Sequence, residues 1–330
     1  MADYSSLKAR LRDREIILLD GAIGTQLQAT GVPMDPYCWA AIGNHTHPST
    51  VQKMHEDYIR AGADVITTNT YSAARHNYES AGLSDLVIEL NVRAVQLAQQ
   101  ARERVADRPV YIAGSVSNFG AWSEFEYQWF RKSSRSTSAS GLRSRSLITE
   151  AQARRNLAEQ VAILVDAGVD LLIAEATGNE IQRQWVLEAV TGAGIPYWAG
   201  FKCHVNEGEA APRSGYMSDG LLSEELDARL PLDADVLCIF HSTIEDTNFA
   251  LPVVRSKWKG ALGVYPEAGR KDYVQALADP NTENPHTIDE WVAAARRWTE
   301  NGVQVIGGCC GMGLDHIRAL EGQLPHRLAA

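Results

Sequence analysis

Eight short apolar runs, each separated from the next by a longer stretch, constrain this chain more than any other feature. They are IILLD (16–20), DVITT (64–68), VYIAGS (110–115), DLLIAE (170–175), YWAGFK (197–202), DVLCIF (235–240), GALGVY (260–265) and VQVIGG (303–308). Several are apolar almost throughout, the pattern of parallel strands covered on both faces. Helical periodicity fills residues 49–62, 86–106, 149–168 and 287–302 between them. Three of these segments stop at Gly62, Gly168 and Gly302 just before a strand, as a helix that must turn into a strand is expected to.

Eight strand–helix units in 330 residues predict one α/β domain spanning 1–330, a (β/α)8 TIM barrel. A doubly wound open sheet fits less well, because no glycine-rich phosphate fingerprint opens the chain. In a barrel the ends of ILLD, VITT, IAE, VLC and IGGCC meet at one C-terminal face, where active sites sit. One segment breaks the rhythm: RKSSRSTSASGLRSRS (131–146) is polar and basic, and reads as a solvated loop insertion or a cover over the barrel mouth.

The formal charge of −10 argues against nucleic acid as a partner, since phosphate binding needs a basic surface. No long apolar run and no leader-like start point to a membrane or to secretion, so a cytoplasmic protein is expected. A homo-oligomer is left open. Five cysteines, Cys38, Cys203, Cys238, Cys309 and Cys310, are too few for a disulfide scaffold and favour metal binding or catalysis.

Two of them are adjacent in GGCCGMG (307–313). On a regular strand their sulfurs would point to opposite faces. The flanking glycines permit the backbone to leave strand geometry and bring both to one point. Two thiolates converging on zinc account for this as well as two inert buried thiols do. A catalytic zinc takes a third protein ligand, expected from another strand of the same face. Cys238 is the first candidate; His241 in CIFH competes, and KCH (202–204) is weaker.

Taken in order, LLDGAIGTQL (18–27), AGADVITTNTYSA (61–73), AGVDLLIAEATGN (167–179), Cys238 and GGCCG (307–311) resemble the homocysteine S-methyltransferase family across nearly the whole chain. The resemblance implies a TIM barrel holding zinc through Cys238, Cys309 and Cys310. It implies that Asp20 and Glu175 bind the ammonium of a small thiol acceptor, L-homocysteine. Gly21, Gly24 and Thr25 would let the chain pass close to the ligand, and Thr68 and Ser72 would border the acceptor. Three thiolates over-neutralise Zn²⁺, so an acceptor sulfur beside them keeps the electron density needed to attack a methyl group.

The methyl donor is expected to be an onium compound: S-methylmethionine, S-adenosylmethionine or a betaine-like ammonium. The aromatic–acidic run FGAWSEFEYQWF (119–130), with Trp122, Glu124 and Glu126, could hold its positive charge. Leu237 stands where the family usually has asparagine, Ser117 and Asn118 where it has glycine–proline, and Thr67 where cobalamin-dependent members commonly have glutamate. These departures are expected to fall around the ligand pocket.

Overall fold

The structure is a computed structural model that describes residues 3–121, 148–215, 220–230, 232–269 and 286–329. Its centre is an eight-stranded, all-parallel sheet. In chain order the strands are β1 (Ile17–Leu18), β2 (Val65–Thr67), β3 (Tyr111–Ser117), β4 (Leu171–Ala176), β5 (Tyr197–Phe201), β8 (Val236–Phe240), β9 (Ala261–Tyr265) and β10 (Val305–Ile306). Two further strands, β6 (Cys203–His204) and β7 (Arg213–Ser214), form a separate antiparallel hairpin.

Each barrel strand pairs with the next barrel strand in the sequence, and β1 pairs with β10. A parallel bridge between Leu19 and Val65, with the Asp20 amide donating to the Val65 carbonyl at 2.9 Å, joins β1 to β2 and closes the circle. All eight apolar runs are therefore barrel strands, to within a few residues at each end. The four helical segments are also present, as Pro48–Arg60, Val87–Val105, Glu150–Asp166 and Ile288–Glu300. Gly62, Gly168 and Gly302 have φ of +101°, +89° and +84°, the left-handed conformation in which glycine ends a helix without a Cβ penalty.

Strand alternation sorts the apolar residues into two cores. Leu19, Tyr111, Ile173, Trp198, Cys238 and Tyr265 belong to the one inside the barrel. Ile66, Ile112, Leu172, Leu237, Ile239 and Val264 belong to the one between strands and helices. An N-terminal helix, Tyr4–Arg12, puts Tyr4, Leu7 and Leu11 into the inner core. Tyr4 donates to Asp235 Oδ2 at 2.9 Å and accepts from Trp198 Nε1 at 3.2 Å. With this end plugged, the open end is the one where the strands finish. No described helix is long and apolar enough to cross a membrane.

Candidate active site

The strand ends converge on a cleft lined by Asp20, Gly21, Thr25, Thr68, Ser72, Glu175, Cys309 and Cys310, with His241 and Tyr265 beside them. Asp20 sits just past β1, where the closing bridge carries it inward. Its carboxylate accepts from the Thr67 amide at 2.7 Å and the Thr67 hydroxyl at 3.0 Å. Thr67, at the end of β2, thus serves the acid rather than the ligand. Glu175, near the end of β4, accepts from the Ser115 hydroxyl of neighbouring β3.

Both carboxyls are buried, and burial governs their chemistry. Desolvation pushes Asp20 well above the usual carboxylate range, against the Thr67 hydrogen bonds and with the nearby Glu175 adding to the rise. Desolvation likewise raises Glu175, to about 7, although the Ser115 bond and His241 pull the other way. Two desolvated acids facing one cleft form a receptor for a cationic group, which would restore both charges.

The cysteine pair reaches the same cleft because the chain leaves the sheet right after β10. Gly311 has φ +77°. Gly308 passes so close to Met312 that a Cβ would lie 2.5 Å from its carbonyl oxygen. Hydrogen bonds fix the loop: the Cys309 amide donates to Pro266 O at 2.8 Å, Ala268 donates to Cys310 O at 2.8 Å, and Gly311 donates to Thr25 Oγ1 at 3.0 Å. Both sulfurs are part of one cluster with an imidazole nitrogen of His241, the ligand atoms lying within 4.8 Å of one another. Two thiols and an imidazole are the donor set of a zinc site, so these residues fit a bound metal. Cys310 is drawn below the ordinary thiol range by the hydrogen bond from Cys309, with His241 assisting, while Cys309 is raised.

Cys238 is not part of this cluster. It lies in the middle of β8, in register with Gly200 and Gly263, with its side chain in the inner core. The geometry therefore pairs Cys309 and Cys310 with the competing His241. KCH does not join them either: Cys203 is hydrogen-bonded to Ser242, and His204 Nδ1 contacts Gly215 O at 2.7 Å.

Thr68 and Ser72 line the cleft as expected, but their hydroxyls are engaged within the fold. Thr68 bonds Thr70 at 2.7 Å and Ser72 donates to Cys38 O at 2.7 Å. The expected crowding of departures around the pocket is corrected for Leu237, which faces the helices from β8. Ser117 donates to Tyr71 O at 2.6 Å, and Asn118 Oδ1 accepts from the Thr177 amide at 2.9 Å. They tie loops together rather than line the cleft. Trp122, Glu124, Glu126 and the 131–146 insertion lie outside the described residues.

Other aromatics flank the cleft. Trp39 and Tyr71 line it. Phe119 stacks on Trp39 at 6.2 Å between centroids and lies 5.7 Å from Tyr71. Trp39 holds φ +42°, and Gly24 is bare where its indole lies: a Cβ there would be 2.2 Å from the ring. Trp39 lies outside every motif, whereas Tyr71 and Phe119 stand in AGADVITTNTYSA and FGAWSEFEYQWF without being singled out there.

A family model described as homocysteine S-methyltransferase matches residues 17–324. The chain is 28% identical over 322 residues to homocysteine S-methyltransferase 4 of Zea mays, covering 92% of this chain and 87% of that protein. It is 28% identical over 330 residues to a selenocysteine methyltransferase of Astragalus bisulcatus, covering 92% and 90%. The crystal structure of the homocysteine methyltransferase MmuM from Escherichia coli, in its metallated form, superposes with a TM-score of 0.67 at 26% identity. It covers 96% of this chain and 99% of that one.

Proposed function

This chain belongs to the homocysteine S-methyltransferase family, and from that membership we propose that it is a zinc-dependent enzyme that moves a methyl group from a small onium donor to the thiol of L-homocysteine, giving methionine. The observation that supports this most strongly is the meeting of two buried carboxylates, Asp20 and Glu175, with the Cys309–Cys310 pair in one cleft. A molecule with an ammonium at one end and a thiol at the other matches both.

Asp20 and Glu175 accept hydrogen bonds from the acceptor's ammonium. That cation draws Glu175 into its charged form, and the Thr67 and Ser115 bonds keep the two acids aimed inward. Zinc held by the cysteine loop would supply an acceptor sulfur kept as thiolate at neutral pH, where a free thiol with pKa near ~8.5 is only a few per cent ionised. The donor carries its positive charge against the faces of Trp39 and Tyr71. The acceptor sulfur's electron pair forms the new S–CH₃ bond while the donor's CH₃–S or CH₃–N pair leaves with the heteroatom. No general base is required, because no proton moves in this step.

The test is a donor-by-acceptor screen on reduced protein reconstituted with zinc. S-methylmethionine, S-adenosylmethionine and glycine betaine are each offered with homocysteine, cysteine and selenocysteine. The reading requires methionine from homocysteine with at least one donor, lost on chelation and restored by zinc. Product only on another acceptor reassigns the substrate. No product on any acceptor from metal-loaded protein overturns the methyltransferase reading.

A further inference from the structure

We propose that His241, not Cys238, completes the metal site with Cys309 and Cys310, giving two thiolates and one imidazole in place of three thiolates. The inference rests on the metal-dependent reading above, and two independent features of the chain support it.

The first is position. His241 Nδ1 lies 3.2 Å from Cys309 Sγ, close to the roughly 3.6 Å that separates nitrogen and sulfur on a tetrahedral zinc with bonds of about 2.0 and 2.3 Å. All three residues line the cleft. Cys238 stands in mid-strand, and its sulfur fills the space that a glycine leaves on the next strand: a Cβ on Gly263 would come within 2.5 Å of it. It is a packing group of the barrel interior and is not among the residues that line the cleft.

The second is backbone. His241 follows the last residue of β8 with φ +48°, a left-handed conformation that is uncommon for a residue with a Cβ. Continued strand geometry would alternate its side chain onto the helix-facing side with Leu237 and Ile239. The left-handed turn brings the imidazole to the barrel mouth instead. Strain of this kind concentrates where a side chain must be aimed.

Glu267 bears on the site in another way. Its Oε2 lies 3.0 Å from His241 Nδ1, the nitrogen that also faces Cys309, so it stands on the metal side of the ring and not at the far nitrogen where an outer-shell carboxylate sits. The Glu267 amide donates to Ser242 O at 3.0 Å, which ties the loop after β9 to the loop carrying His241.

The ligand set has a chemical consequence. Two thiolates and a neutral imidazole balance a divalent cation, whereas three thiolates leave a net negative charge. An acceptor thiolate beside the neutral set is less electron-rich and needs a more willing leaving group. This favours a sulfonium donor, which departs as a neutral thioether, over a quaternary ammonium, which departs as a more basic amine.

Zinc-edge X-ray absorption of the purified, zinc-reconstituted protein without acceptor reads the ligand set directly. The proposal expects two sulfurs at about 2.3 Å, one nitrogen at about 2.0–2.1 Å and outer-shell scattering from an imidazole ring. Three sulfurs with no ring scattering overturn it, as does failure to bind zinc. His241→Ala should weaken zinc binding by at least the ~10–100-fold that loss of an outer-shell partner costs. His241→Cys should retain zinc with a third sulfur, and Cys238→Ser should leave affinity and sulfur count unchanged. Loss of zinc in Cys238→Ser together with retention in His241→Ala overturns the proposal; circular dichroism confirms that both variants fold. Turnover is a separate readout. A two-sulfur, one-imidazole site without methyl transfer would sink the enzymatic reading alone, and methyl transfer from a three-sulfur site would sink the ligand assignment alone.

Discussion

Replacing Glu175 with glutamine should stabilise the protein while damaging its function, and the two effects should separate with pH. Glu175 is buried and its carboxyl is pushed up to about 7, chiefly by desolvation. The folded state therefore holds its proton more tightly than the unfolded chain does. The sign follows: the contribution of the protonated acid is fully present below the unfolded value and is lost as pH rises through about 7. With an unfolded value near ~4.3, the folded protein sacrifices about 3–4 kcal/mol by about pH 8 but only about 1 kcal/mol near pH 5.

Glutamine carries no charge at either pH, so Glu175→Gln should recover that difference. For a chain of 330 residues the gain near pH 8 corresponds to roughly 5 °C in melting temperature, shrinking to about 1.5 °C near pH 5. The assay is thermal unfolding of chelator-treated, acceptor-free protein across that range, alongside the KM for homocysteine in the zinc-loaded enzyme. KM should rise by about 10–100-fold, the worth of one charge-assisted hydrogen bond. A variant that melts lower than the parent at high pH, or whose shift does not change with pH, refutes the argument that Glu175 waits as a desolvated acid.

Four further outcomes follow from named contacts. Asp20→Asn should raise the homocysteine KM by about 10–100-fold and leave the donor KM within error; equal loss on both substrates contradicts its placement at the acceptor. Trp39→Ala should raise the donor KM by about 2–30-fold, the range of a ring-face contact with a cation, when acceptor is saturating; an unchanged donor KM removes the aromatic site. Leu237→Asn should leave both KM values alone and cost about 1–3 kcal/mol of stability, because an amide would be buried in the strand–helix layer; a kinetic change would put that position back at the pocket. Cys309→Ser should abolish zinc retention and turnover together, read by metal analysis and product formation.

Much of the barrel and half of its site are legible in the amino-acid sequence. Burial on both faces leaves strands with almost no polar residues, so the eight runs stand out against amphipathic helices, and glycine must close a helix that turns straight into a strand. The positions of Asp20, Glu175 and the cysteine pair at the barrel mouth are legible because each ends an apolar run, while a binding role for the two acids comes from the family resemblance. The choice between Cys238 and His241 is not. A barrel strand's last in-sheet residue cannot be read to within two positions, and here β8 continues through Phe240. Cys238 therefore stays within the sheet, and only the left-handed turn at His241 aims that ring at the cleft. The plug helix Tyr4–Arg12 and Trp39 escape a sequence reading for a related reason. Their roles come from packing between segments distant in sequence, as when Trp39 lies over Gly24 and stacks on Phe119.

One cleft is proposed to grip the acceptor at both ends, its ammonium between Asp20 and Glu175 and its sulfur beside the cysteine pair. Calorimetric affinities of the zinc-loaded protein for L-homocysteine, 4-mercaptobutanoate and 2-aminobutanoate test this without any turnover. Each truncated compound should bind at least about 10-fold more weakly than homocysteine, since each leaves one buried set of partners unmet. Affinity equal to that of homocysteine for either truncated compound would contradict the two-ended grip.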